Sequence, residues 1–469
     1  MNIKRNILAT LIAGGCFISS YAYSQMGSTT IADVARQAIE TNPEVQASWH
    51  AFLASDHDVD FAMGGYRPIV DFTASYGHNH RDWKNYEGRR NFSGSAAEIS
   101  LTQMLYDGFR TRSEVERFES AQLVRYFELL EDVENIALEA MNAYEDVMRF
   151  RELVRLAEEN LEEHIAVFNQ IEESARAGVA RRADLEQISG RLSLAEANLV
   201  TEMSNLHDVS ARYLRIVGEL PPTNLEPVSL DDSNIPTDVR QALHLAYQGN
   251  PAFHAAIRNI HSQEAQVESA RSEFRPRLNL TASYGTQSFD DSGFSNRRND
   301  GRVALEFRYN ILNGGRDRAS LNRAYEEVNI AKSQRDKACV DLRQTLQIAI
   351  NDVRKIDEQL PALNQHRISS DRVRTAYKDQ FDIGQRTLLD LLDSENEYFQ
   401  ASRAYTNALY DRSIAAGRTL ALMGELLPAL DVVREGLPSL ADLGADEWIV
   451  DPDSACPDYD VSQHILSNR

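Results

Sequence analysis

The sequence predicts a mixed α and β protein built from two copies of one unit, each pairing an extended β-hairpin with a long α-helical hairpin. Three observations carry this. The pentapeptide TASYG at 73–77 returns at 281–285, 208 residues later. Apolar side chains alternate with period two around each TASYG. Heptad-spaced apolar residues fill the stretches that follow, and no proline stands between 108 and 175.

The chain opens with Lys4 and Arg5, an apolar stretch from Ile7 to Ile18, and small residues at Ala22 and Ser24. This is the grammar of a secretory signal peptide over 1–24, so the mature chain is exported. Ala13 stands where a lipid-attachment motif usually has leucine, so cleavage near 22–24 is expected rather than lipidation of Cys16. Hydrophobic residues make up 42% of the chain, and after the signal no apolar run approaches the roughly 20 residues of a spanning helix. A helical membrane protein is excluded. Acidic residues outnumber basic ones, 71 to 49, for a net charge of -22, which argues against nucleic-acid binding. Cys339 and Cys456 lie far apart in unlike segments, and two unpaired thiols are expected.

Repeat one occupies 25–218: a short helix, a β-hairpin over about 67–105, and a helical hairpin over about 108–217. A linker at 219–237, rich in proline and polar residues, precedes repeat two at 238–428, with its hairpins over about 275–312 and 315–424; an acidic tail follows at 429–469. Asn42-Pro43 returns as Asn250-Pro251, and Tyr66-Arg67-Pro68 as Phe274-Arg275-Pro276, both 208 apart. Beyond the hairpins the offset is 206, pairing Asp107-Gly108 with Asn313-Gly314, Gly178 with Gly384, Asp184 with Asp390, and Gly218 with Gly424. A loop two residues shorter in the second copy accounts for the change.

Val70, Phe72, Ala74 and Tyr76 share one strand face, opposite Asp71, Thr73 and Ser75; Leu278, Leu280, Ala282 and Tyr284 repeat the pattern. One apolar and one polar face suit a wall between lipid and water. A soluble sheet packed on a core would alternate too, but no other segment supplies a covering layer of strands. Val133, Ala140, Val147, Val154, Leu161 and Phe168 fall one heptad apart, as do Leu185, Leu192, Leu199, Leu206 and Tyr213, and in the second copy Cys339, Leu346, Val353 and Leu360. Such registers make coiled-coil seams, and a helix from 108 to 175 would reach on the order of 100 Å. Four strands cannot close a barrel in a bilayer, where open edges leave backbone amides unpaired. Closure must come from further subunits. The alternative from another class is a soluble periplasmic coiled-coil scaffold or adhesin.

The paired YRP and FRP openings, the YDGFR and LNGGR steps into the long helices, and above all FDIGQRTLLDLLDSENEYFQA at 381–401 resemble the TolC family of outer-membrane efflux and secretion channels, over the mature chain to about residue 430. The resemblance implies a homotrimer in outer-membrane lipid, with one shared transmembrane barrel of 12 strands and an α-helical barrel crossing the periplasm. It also implies a periplasmic membrane-fusion adaptor and an inner-membrane pump as partners. Within the family the chain looks more like the type I secretion branch, driven by an ABC transporter and passing an exported protein, than like a multidrug efflux channel passing small molecules.

The tip is where chemistry is expected. Gly178 and Gly384 mark the turns between long helices, and Asp390 and Asp393 stand at i and i+3, on one helical face. In a symmetric ring each becomes a circle of like charge that favours cations, and the resemblance implies that the two line a pore constriction. It further implies that Arg386 latches one helical hairpin to Asp184 of a neighbouring one. The family often has tyrosine where Phe381 stands and threonine where Gln385 and Ala183 stand, so hydroxyls of the usual latch are missing. No catalytic motif is present, the chain calls for no cofactor, and His78-x-His80 reads as an exposed loop pair rather than a metal site.

Overall fold

The computed structural model describes residues 28–81, 90–230, 235–291, 294–445 and residue 456. The expected signal peptide with Cys16, most of the first outer loop and most of the acidic tail lie outside the described residues.

Copy one runs α1 (Ile31–Thr41), α2 (Pro43–Met63), β1 (Ile69–Arg81), β2 (Arg90–Tyr106), α3 (Arg110–Arg176) and α4 (Arg182–Val217). Copy two runs α5 (Val239–Gly249), α6 (Pro251–Ser272), β3 (Arg277–Asp291), β4 (Phe294–Arg308), α7 (Arg316–Asp382) and α8 (Leu388–Met423), followed by the single turn α9 (Leu426–Ala429). The long helices α3 and α7 each have 67 residues, and α4 and α8 each have 36. A 67-residue helix extends on the order of 100 Å. None of the described helices is long and apolar enough to cross a membrane.

The repeated Asn-Pro has a repeated job. Asn42 and Asn250 each cap the helix that begins at the following proline, where a missing N–H costs nothing. Each also donates through Nδ2 to the end of its copy's returning helix, Asn42 to the Ile216 carbonyl at 3.2 Å and Asn250 to the Leu422 carbonyl at 3.1 Å. One residue type at one position thus starts a short helix and ties it to the long hairpin. The close approach is tightest in copy two, where a Cβ on Gly249 would lie 2.1 Å from the Met423 carbonyl oxygen.

The four strands form one antiparallel sheet in the order β1-β2-β3-β4. Register aligns the apolar residues in rows: Val70 faces Leu101, Leu101 faces Ala282, and Ala282 faces Val303. In the next row Phe72 faces Ile99, and Ile99 faces Tyr284. Nothing within the described chain covers this face, and Phe72 and Val303 are 71% and 76% exposed. The opposite face carries Asp71, Ser100, Ser283 and Arg302 in one row. Among the described residues β1 and β4 each pair on one side only.

Most of the buried core sits where the short helices meet the long ones. In copy one, Val34, Ala38 and Ile39 of α1 pack with Val133, Ala140 and Tyr144 of α3, joined by Leu426, Leu430 and Val432 beyond α8. Tyr144 is fully buried and donates to the backbone carbonyls of Thr29 and Glu226, stitching both flanking segments to α3. The helical seams contain two heptad files each. Leu129, Ile136 and Ala143 are buried beside Val133, Ala140 and Val147. In α4 the deeper file is Ile188, Ala195, Glu202, Val209 and Ile216, while Leu185, Leu192, Leu199 and Leu206 are only half-buried.

One expectation is corrected. Cys339 and Cys456 form a disulfide across 117 residues of sequence, both nearly inaccessible to solvent. Cys339 and Cys456 lie in one buried cluster with Val239, Leu243 and Leu346. Sequence distance did not reveal the pairing, because a contact between residues 117 positions apart leaves no local pattern.

The copies differ in their neighbours. The α6 helix packs on both α3 and α7, whereas α2, its counterpart, packs on α3. Phe61 of α2 is 80% exposed.

Candidate functional site: the helical tip

Each long helix ends in a turn that only a positive φ can make. Gly178 has φ 76° and Gly384 has φ 78°, and both project into open space. The four helices meet just above these turns in a small apolar cluster: Val167 and Ile171 from α3, Ile188 from α4, Phe381 from α7, and Leu388, Leu391 and Leu392 from α8. Phe381 thus contributes packing where a tyrosine would offer a hydroxyl.

Asp390 lies in the first turn of α8. Its carboxylate accepts from the Thr387 backbone N–H at 3.2 Å and from the Thr387 hydroxyl at 2.8 Å, while its own N–H donates to that hydroxyl at 3.3 Å. The Thr387 hydroxyl is the main cause holding the Asp390 carboxyl below the usual carboxylate range, followed by the Thr387 backbone, with Arg386 adding a smaller charge effect. Asp390 is therefore a fixed negative charge at neutral pH. Asp184 stands at the same place in α4, accepting from the Arg181 backbone N–H at 3.3 Å.

Asp393, one turn further along α8, is bonded to a residue that the sequence reading did not single out. The Arg191 guanidinium of α4 donates to it at 2.8 Å. Arg386 does not meet Asp184 within the chain: it donates from Nε to Gln380 at 2.9 Å and lies 4.1 Å above the Tyr377 ring. Its aromatic partner is thus one turn before Phe381.

Further cross-links join the two hairpins. Lys378 of α7 meets Glu163 of α3 at 2.5 Å, and Gln170 donates to Asp382 at 3.3 Å. Within the copy-two hairpin, Arg374 bonds Asp371 at 2.8 Å, lies 4.0 Å over the Tyr398 ring, and approaches the buried Glu395 at 3.5 Å. Burial raises the Glu395 carboxyl, with Arg374 opposing. Farther from the tip, Arg403 of α8 bonds the buried Glu202 of α4, so a charged residue can stand in the deep file of the seam. Charge alternation signals exposed ion pairs within a helix, but the pairs between α4 and α8 join residues about 200 positions apart and leave no local pattern. At the other end of the molecule, His78 and His80 lie not in a loop, as expected, but within β1, bonded to Ser93 and Asn91 of β2.

The fold defines a class: a subunit with a four-stranded sheet bearing an uncovered apolar face at one end and two long helical hairpins at the other. The family described as outer membrane efflux protein matches residues 34–219 and 242–425, one match to each copy, and the chain belongs to this family, that of TolC. The outer membrane efflux protein BepC of Brucella suis is 26% identical over 430 residues, covering 90% of this chain and 91% of BepC. The alkaline protease secretion protein AprF of Pseudomonas aeruginosa is 22% identical over 409 residues, covering 81% of each chain. A solved membrane protein from Pseudomonas aeruginosa superposes with a TM-score of 0.75 at 18% identity, over 84% of this chain and 90% of that one. The protein is an outer-membrane efflux or secretion channel with a periplasmic helical extension.

Proposed function

We propose that the chain is the outer-membrane exit duct of a tripartite export system, a homotrimer whose strands close one 12-stranded barrel and whose helices form the tube below it. The observation that carries assembly is a contact made once where the repeat requires it twice. Arg275, at the entry to the second hairpin, donates to the Gly108 carbonyl at 2.9 Å and lies over the Phe109 ring at 5.3 Å, docking copy two onto copy one. Its counterpart Arg67 is exposed, and the counterpart turn at Gly314 has open space around it. The missing second packing partner of α2 follows the same logic. A neighbouring subunit supplies Gly314 and α7 to Arg67 and α2, and β4 to the open edge of β1. Ring closure by three subunits rests on family membership.

Transport is passive here, energised by an inner-membrane pump that a periplasmic adaptor couples to the tip, where Asp390 and Asp393 line the constriction and Arg386 latches onto Asp184 of a neighbouring hairpin. Type I protein secretion through an ABC transporter is the leading reading, supported by the likeness to AprF over most of both chains. Multidrug efflux is the second, favoured by the higher identity to BepC.

Arg67→Cys combined with Gly314→Cys should yield oxidised oligomers that reach trimers on denaturing gels, whereas Arg275→Cys with Gly108→Cys should cross-link within one chain. Monomers alone from the first pair would defeat the ring. Deleting the gene in its own host then separates the branches, by loss of a secreted protein from the medium or by increased sensitivity to toxic small molecules.

A further inference from the structure

The two copies part company at one pair of tip positions. Copy two has Asp393 and Glu397; the equivalent residues in copy one are Gln187 and Arg191. The cation thus stands on the copy that lacks the aspartate, and it is Arg191 that bonds Asp393, at 2.8 Å between α4 and α8. Glu397 is engaged elsewhere, 3.2 Å from His366.

We propose that Arg191 sets the ion selectivity of the constriction by cancelling the charge of Asp393, leaving the ring of Asp390 as the effective cation filter. The proposal rests on the reading of Asp390 and Asp393 as pore-lining residues. The physical argument is one of net charge rather than bond strength. The pair is part-exposed, with 30% of the Arg191 and 57% of the Asp393 side chain accessible, so its contribution to stability is small. An ion in the lumen responds to the summed potential of both groups, and at 2.8 Å they act on it nearly as a neutral dipole. Asp390 has no such compensation at contact distance. Its carboxylate is tied to Thr387, a neutral residue, and Arg386 is turned to Gln380 and Tyr377. Of Arg191, Asp393 and Asp390, the first two balance each other and the Asp390 carboxylate remains.

The test is the reversal potential of the purified full-length channel in planar bilayers at neutral pH, under a potassium chloride gradient near 0.1 M, where screening acts over about 10 Å. Arg191→Gln should raise the potassium-to-chloride permeability ratio about twofold or more, because a second carboxylate ring becomes effective. Arg191→Lys should keep the native ratio, and Arg191→Gln with Asp393→Asn should return towards it. If Arg191→Gln leaves the ratio unchanged while Asp390→Asn lowers it, the inference is refuted and the pore reading survives. If neither Asp390→Asn nor Asp393→Asn changes the ratio, the pore reading falls and takes the inference with it. Should Arg191→Gln not assemble, Asp393→Asn decides: with the cation left uncompensated, selectivity must drop at least as far as in Asp390→Asn, and a native ratio overturns the proposal.

Discussion

Two carboxyls buried along α3 should make the protein lose stability as pH rises, and one substitution should remove most of that loss. Glu134 of α3 is 5% exposed; it bonds the Leu427 backbone, and its Oε2 has no hydrogen-bond partner among the described residues. Burial, with a smaller charge effect from Glu425, pushes its carboxyl up to about 8. The folded form therefore holds a proton that the unfolded chain releases near the ordinary value. For an acid raised in this way, the associated stability is complete below the unfolded pKa, declines as pH climbs, and is gone above about 8. At 1.36 kcal/mol per unit the ceiling is about 5 kcal/mol, and local relaxation around a buried charge reduces this to roughly 2–3 kcal/mol. Glu145, buried and bonded to Ser413, is raised to about 7 and adds a smaller slope over a lower range. Glu134→Gln keeps the shape and cannot ionise. In detergent, its apparent melting temperature, followed by far-UV circular dichroism at a fixed scan rate, should equal or fall slightly below the parent at pH 6 and exceed it by a few degrees at pH 9. A difference between variant and parent that stays constant from pH 6 to pH 9 would show that Glu134 does not hold the proton, and the account of its burial would be wrong.

Cys456→Ser should lower the apparent melting temperature, since opening a closure of 117 residues forfeits up to about 5 kcal/mol of loop entropy; failure to recover the linked peptide by non-reducing mass spectrometry would refute the disulfide itself. Gly249→Ala should sharply reduce folded yield, because its methyl would meet the Met423 carbonyl at 2.1 Å, at a cost of roughly 1–3 kcal/mol or more; Gly190→Ala, in open space on α4, should be neutral or stabilising by up to about 1 kcal/mol. Equal melting temperatures for the two would discount the crossing as a constraint. Arg386→Ala should raise single-channel conductance in planar bilayers, and an unchanged closed-state conductance would remove the latch.

The elements were legible because each is written twice and each has its own period. Rows such as Val70, Leu101, Ala282 and Val303 follow from alternation once register is fixed, and α3 and α7 share a length of 67 residues because both carry the same heptads between equivalent glycines. Which heptad file lies deeper was not legible. The α4 leucines that mark a seam are half-buried, and the deeper file hides behind Glu202, whose charge is met by Arg403, 201 positions away. Cys339–Cys456 and Arg191–Asp393 escaped for the same reason, being contacts between segments related by no local period.

A duplicated chain also allows comparison of its halves, and this bears on how the tip works. Where folding sets the residue, the copies agree: Asn42 with Asn250 at the caps, Gly178 with Gly384 at the turns, Asp184 with Asp390 as first-turn acceptors. Two first-turn aspartates in equivalent places, each reaching back to its helix N-cap, are thus explained by helix initiation, and the pore role asked of Asp390 is added to a structural one. Asp393 has no counterpart aspartate, because Gln187 occupies that place, and helix initiation does not require it. A carboxylate present in only one copy, and facing a guanidinium present only in the other, is free of the constraint that duplicates the rest. On the pore-lining reading, ion selectivity is set at Asp393 and Arg191 without unwinding the turn that holds Asp390, so substitutions at this pair should change ion flow while leaving assembly intact.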